Sequence, residues 1–160
     1  MKISPSDAAV LRTVIEADLA GIERLEAALT GADPLAGEHP AVAAAHYLSG
    51  IYSACENSFE QISRTFENHV KDLARWHREL LGKMFLDLRP FRPAVLPPDC
   101  RQLLSDLLSF RHFLRHVYGV DLDPQRVASL RKRWFAEGGP AKQALRRFAQ
   151  ELDSAASPEN

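Results

Sequence analysis

At 160 residues, with 20 Lys and Arg against 21 Asp and Glu, the chain is near neutral and long enough for one domain with its own core. Its two cysteines, Cys55 and Cys100, form no C-x-x-C pattern, which excludes a disulfide framework and a thiolate metal site and leaves reduced, partly buried thiols. The opening MKISPSDAAV has no long apolar core, and no run approaches the roughly 18 apolar residues of a spanning helix, so a cytoplasmic protein with no membrane role is expected.

The first helix is expected from about Ser6, as cap, to Thr30, with Val10, Val14, Leu19, Ile22, Leu25 and Leu29 as its apolar stripe and Gly31 and Pro34 as its stop. A second runs from about Pro40 to Val70 on Ala43, Tyr47, Ile51, Ala54, Phe59, Ile62 and Phe66. A third runs from about Lys71 to Asp87, with a bend at His69 between the two. Four prolines in RPFRPAVLPPD, residues 89 to 99, make that stretch an extended connector. The fourth helix is expected from about Pro98 to Tyr118, closed by Gly119. A last one starts at Pro124, breaks near Gly138-Gly139-Pro140 and resumes to about Leu152. The fold class is therefore all-α: an up-and-down antiparallel bundle of four to five helices in one domain, residues 1–153, with 154–160 as a frayed tail.

Charge is unevenly spread. Glu16, Asp18, Glu23, Glu26, Asp33, Glu38, Glu56, Glu60 and Glu67 dominate residues 1–68. Arg111, Arg115, Arg126, Arg131, Lys132, Arg133, Lys142, Arg146 and Arg147 dominate residues 111–147. A polyanion partner and acid–base pairing inside one bundle both account for this.

The nine residues RHFLRHVYG, Arg111 to Gly119, crowd two arginines, two histidines and a tyrosine. On a wheel with Arg111 at zero, Arg115 falls at about 40°, His112 at about 100°, His116 at about 140° and Tyr118 at about 340°. Phe113, Leu114 and Val117, with Phe110, Leu107 and Leu103, take the other side. The polar arc thus holds groups that fork onto phosphate, stack, and exchange protons near neutral pH.

Arg111, His112, His116 and Tyr118 resemble the R-x4-H-x-Y signature of HEPN-domain ribonucleases, in particular the HepT-like toxins. IYSACENSFEQISRTF (51–66) is similar to the family's second helix, RWHRELLGKM (75–84) to its third, and FRHFLRHVYGVDLDPQRV (110–127) to its motif helix and turn; the likeness covers about residues 7–135. The resemblance implies an all-helical homodimer with both motifs around one cleft. It implies a metal-independent endoribonuclease with no cofactor, in which Arg111 and His116 are catalytic. His116 would move a proton and Arg111 would hold the phosphate of an RNA substrate attacked by its own 2′-OH. It further implies a minimal nucleotidyltransferase antitoxin that transfers AMP to Tyr118, blocking the cleft by bulk and charge.

Each residue also has a plainer reading. Tyr118 fits a packed helix end. His112 supports the cleft or contacts RNA; His112 and His116, at i and i+4, have zinc-ligand spacing but no third ligand in view. Arg115 suits a phosphate contact or a salt bridge equally. Glu56 and Asn57 suit the cleft wall or a buried hydrogen bond, and Trp76 and Trp134 suit core or interface anchors. The competing function is a non-catalytic helical adaptor that binds a nucleotidyltransferase and presents its substrate.

Overall fold

In a computed structural model the described residues are 1, 3–67, 76–116 and 121–156. Among them are six α-helices: α1 (Pro5–Thr30), α2 (Glu38–Phe66), α3 (Trp76–Met84), α4 (Arg101–His116), α5 (Pro124–Glu137) and α6 (Gly139–Ala155). No β-strand occurs among these residues; the one extended pairing is the bridge between Leu88 and Arg92. The expected all-α bundle is what the chain forms. The expected bend at His69, the helix ends at Val70 and Lys71, the Tyr118–Gly119 end and the last four residues lie outside the described residues.

Local chemistry sets the helix ends. Ser4, rather than the expected Ser6, caps α1: its hydroxyl accepts the Asp7 amide at 3.1 Å, and Pro5 fills the first turn, where no amide is needed. Asp123 caps α5 in the same way ahead of Pro124. The Pro98 start expected for α4 is a separate 3₁₀ turn, Pro98–Cys100, from which α4 continues at Arg101. At the other end, α6 runs through Ser154 and Ala155 instead of stopping near Leu152, because the Ala156 amide still reaches the Leu152 carbonyl.

α2 is the axis of the bundle, packing against α1, α3, α4 and α5. Its buried side spans Ala44, Leu48, Ile51, Tyr52, Cys55, Phe59 and Ile62. On α1 the buried stripe is Ala8, Leu11, Ile15, Leu19, Ile22 and Leu29. Val10, expected in that stripe, is 65% exposed, because it lies one residue off the Ala8–Leu11–Ile15 row. Both cysteines are free and buried, and burial pushes the Cys55 thiol up to about 12.

The acidic first half and basic second half pair in antiparallel order. Arg12 meets Asp153 at 2.8 Å, Glu23 meets Arg146, and Glu26 meets Lys142 at 2.7 Å, so α1 and α6 run in opposite directions. Glu26 also accepts the Trp134 indole N–H at 2.9 Å. α1 has no basic residue in its last turn; Arg131 of α5 supplies the cation, donating to the Leu29 and Thr30 carbonyls. Arg133 pairs with Asp106, and Arg126 lies over the Phe110 and Phe113 rings. Internal pairing thus takes up most of the basic segment.

The proline-rich connector is a compact turn rather than an extended strap. Several of its own amides bond: Phe91 donates to the Leu88 carbonyl, and Val95 and Leu96 both donate to the Met84 carbonyl. Arg92, fully buried, ties the connector to α3 and α2: it reaches the Pro93 carbonyl, the Lys83 and Leu86 carbonyls, and the Glu67 carboxylate at the end of α2.

The α5–α6 junction needs glycine for space. A Cβ at Gly138 would lie 2.7 Å from the Trp134 carbonyl oxygen and 2.8 Å from its buried ring. Gly138→Ala is expected to cost about 1–3 kcal/mol, the range for overpacking. Urea unfolding should show it as a lower midpoint with unchanged slope, and an unchanged midpoint would contradict the close approach.

Candidate active site

α4 does not present Arg111 on its polar arc. The buried residues of the helix are Leu103, Leu104, Leu107, Leu108, Phe110 and Arg111. Leu104 and Leu108 fall within about 60° of Arg111 on the wheel, so the arginine sits in the middle of the buried face. It is 7% exposed. This corrects the five-residue polar arc; His112, Arg115 and His116 remain exposed, while Arg111 points into the bundle toward α2.

A buried guanidinium needs partners for its donors. Ser53 of α2 gives its one hydroxyl hydrogen to the Ser49 carbonyl at 2.9 Å and accepts the Arg111 Nε–H at 2.8 Å. Glu56, also buried, places Oε1 3.3 Å from Arg111 Nη1. Its second oxygen, Oε2, lies 2.8 Å from Nδ1 of His77 on α3. One carboxylate therefore joins a guanidinium on α4 to an imidazole on α3. Among the described residues Nη2 of Arg111 makes no hydrogen bond.

Next to this cluster Tyr52 is fully buried, and its hydroxyl has no partner among the described residues. Burial, with the Glu56 carboxylate second, holds its phenol well above the usual range. Asn57, considered with Glu56 as a wall residue, donates instead to Asp18, as does Ser58 at 2.7 Å.

At the end of α4 the His116 Nδ1 lies 2.9 Å from the His112 carbonyl oxygen. A carbonyl can only accept, so Nδ1 carries the hydrogen and the neutral ring keeps its lone pair on Nε2. The His112 and His116 rings lie 4.1 Å apart, tilted by 30°. No three His, Cys, Asp or Glu side chains among the described residues are grouped to hold a metal ion. Arg115 is exposed and makes no ion pair among them. Tyr118 lies outside the described residues.

The arrangement offers two kinds of chemistry. Arg111 is held on two sides, by Ser53 and Glu56, which suits a fixed oxyanion contact. His116 offers an exposed basic nitrogen, which suits proton removal. The family model described as HepT-like protein matches residues 43–152, more than half of the chain. The chain belongs to the HepT-like proteins. No curated protein and no solved structure matches it. In this HepT-like chain the matched span contains α3 to α5 whole and most of α2 and α6, including Ser53, Glu56, His77, Arg111, His112 and His116.

Sequence reasoning missed the Glu56–Arg111 pair and gave His77 no role. The signal was present twice over. Arg111 follows Leu104 by seven and Leu108 by three, and Glu56 falls between Tyr52 and Phe59 on the buried row of α2. A charge of each sign on an apolar stripe calls for the other. Among the described residues no helix is long and apolar enough to cross a membrane.

Proposed function

We propose that this HepT-like chain is a ribonuclease toxin that cuts RNA by attack of the 2′-OH on the adjacent phosphorus. His116 Nε2 takes the 2′-OH proton, the 2′-O–P bond forms, and the P–O5′ bond breaks, leaving a 2′,3′-cyclic phosphate and a 5′-OH. No protein nucleophile and no metal is required for that step. Arg111 Nη2 contacts a non-bridging oxygen as negative charge builds. The observation that carries the reading is an exposed imidazole of fixed tautomer, five residues beyond an arginine locked by Ser53 and Glu56. Two copies of the chain, pairing their motif helices, would form the cleft, with His112 and Arg115 at its rim to meet further phosphates. The partner is a minimal nucleotidyltransferase antitoxin that adds AMP to Tyr118.

The decisive measurement is cleavage of RNA by the purified full chain in EDTA. Wild type should cut and leave cyclic phosphate ends, and Arg111→Ala and His116→Ala should each lose roughly 10²–10⁴-fold. A folded His116→Ala variant that cuts at the wild-type rate removes the histidine from the mechanism. A chain that binds a nucleotidyltransferase tightly, cuts nothing and arrests no growth is the adaptor instead. The mass of adenylate on Tyr118, absent from Tyr118→Phe, would separate modification from neutralisation by binding alone.

A further inference from the structure

Transesterification needs a proton removed from the 2′-oxygen and one delivered to the 5′-oxygen. His116 is set for removal, because its Nδ1 already donates to a backbone carbonyl and its Nε2 carries the lone pair. The delivering group must carry a proton on a nitrogen facing substrate, near the phosphate that Arg111 holds. His77 meets these conditions. It sits at the start of α3, its side chain 40% exposed, against a carboxylate that is 7% exposed. That carboxylate is the one that anchors Arg111, so imidazole and guanidinium are neighbours on either side of Glu56. Trp76 packs edge-on to the ring at 4.8 Å, which together with Glu56 limits how the imidazole can turn.

We propose that His77 is the general acid of the site, its Nδ1–H held by Glu56 and its Nε2–H given to the departing 5′-oxygen. An imidazolium donates from both nitrogens. Glu56 supplies a charged acceptor for one, and the half-exposed edge of the ring leaves the other for RNA. Among the described residues the ring's charged partner is Glu56 from α2, which is paired in turn with Arg111 from α4; Trp76 is its neighbour on α3. The step balances: the 2′-OH proton goes to His116, the new P–O2′ bond replaces P–O5′, and the His77 proton completes the 5′-OH. Proton exchange with water then resets the two imidazoles. This assignment rests on the ribonuclease reading and adds to it a residue outside the R-x4-H motif.

The test uses the full chain and two substrates, an ordinary oligoribonucleotide and one with sulfur in place of the scissile 5′-oxygen. A thiolate leaves without being protonated, so only a missing acid is rescued by sulfur. His77→Asn keeps an N–H donor where Nδ1 was, preserving the Glu56 contact and the fold, but has no Nε2. On ordinary RNA it should lose roughly 10²–10⁴-fold in kcat with KM little changed, and the fall in rate on the alkaline side of the pH–rate profile, which reports deprotonation of the general acid, should disappear. On the sulfur substrate it should regain most of that loss, while His116→Ala should not. Equal losses on both substrates, or a His77→Asn enzyme as fast as wild type on ordinary RNA, overturn the assignment with the ribonuclease reading intact. Wild type that cuts neither substrate overturns both.

Discussion

Glu56→Gln should destabilise the fold by about 3–5 kcal/mol, the cost of leaving one member of a buried ion pair without its counter-charge. The amide keeps the shape of the carboxylate, so packing is preserved and the loss reports electrostatics. Arg111 stays 7% exposed, with the Ser53 hydroxyl and the neutral glutamine oxygen as acceptors but no counter-charge beside it. His77 loses its charged acceptor in the same step. Arg111→Met should recover much of the loss when combined with Glu56→Gln, because a buried pair replaced whole by well-shaped neutral groups costs little. Urea midpoints for the two single variants and the double variant complete the cycle. If the double variant loses the plain sum of the singles, Glu56 and Arg111 are not coupled. The double variant should also be inactive on RNA, which separates the stability role of the pair from its proposed catalytic one.

Arg92→Lys should be nearly as damaging as Arg92→Met. The guanidinium is fully buried and uses its whole fork: Nε and Nη2 on Glu67, Nη2 also on the Lys83 carbonyl at 3.0 Å, and Nη1 on the Leu86 and Pro93 carbonyls at 3.2 and 3.0 Å. Lys83 adds a second cation to Glu67 at 3.2 Å. An ammonium has three donors on a point charge and cannot span four oxygen acceptors arranged for a planar fork. Either substitution should cost about 3–5 kcal/mol, which for a chain of this size lowers Tm by on the order of 10 °C. A lysine variant melting with wild type would mean that the fork geometry is not what holds the connector.

The bundle was readable from spacing because its helices obey simple rules. Apolar residues recur at three and four, prolines stand at helix starts, and Gly31 and the Gly138–Gly139 pair fall where helices stop. What spacing does not convey is which of several three-to-four rows turns inward. On α1 the row through Leu11 and Ile15 won over one that included Val10, and on α4 the row through Leu104 and Leu108 carried Arg111 in with it. A wheel sorts residues by type, and an arginine counts as polar on it; only a partner on another helix makes its burial affordable. Glu56, 55 positions earlier, is that partner. The proline-rich stretch hid its structure for a related reason. Proline has no amide to donate, so besides a few non-repeating backbone bonds the ordering there comes from a side chain, Arg92, and side-chain-to-backbone bonds leave no periodic trace.

The Arg12–Asp153 contact joins positions 141 apart. It brings the opening turns of α1 alongside the closing turn of α6, so the six helices trace a loop rather than a line. A gene rearranged to splice these two ends through a short linker and to begin instead at a surface turn would encode the same packing in a different order. Which helix is made first is then a property of the gene and not of the folded bundle.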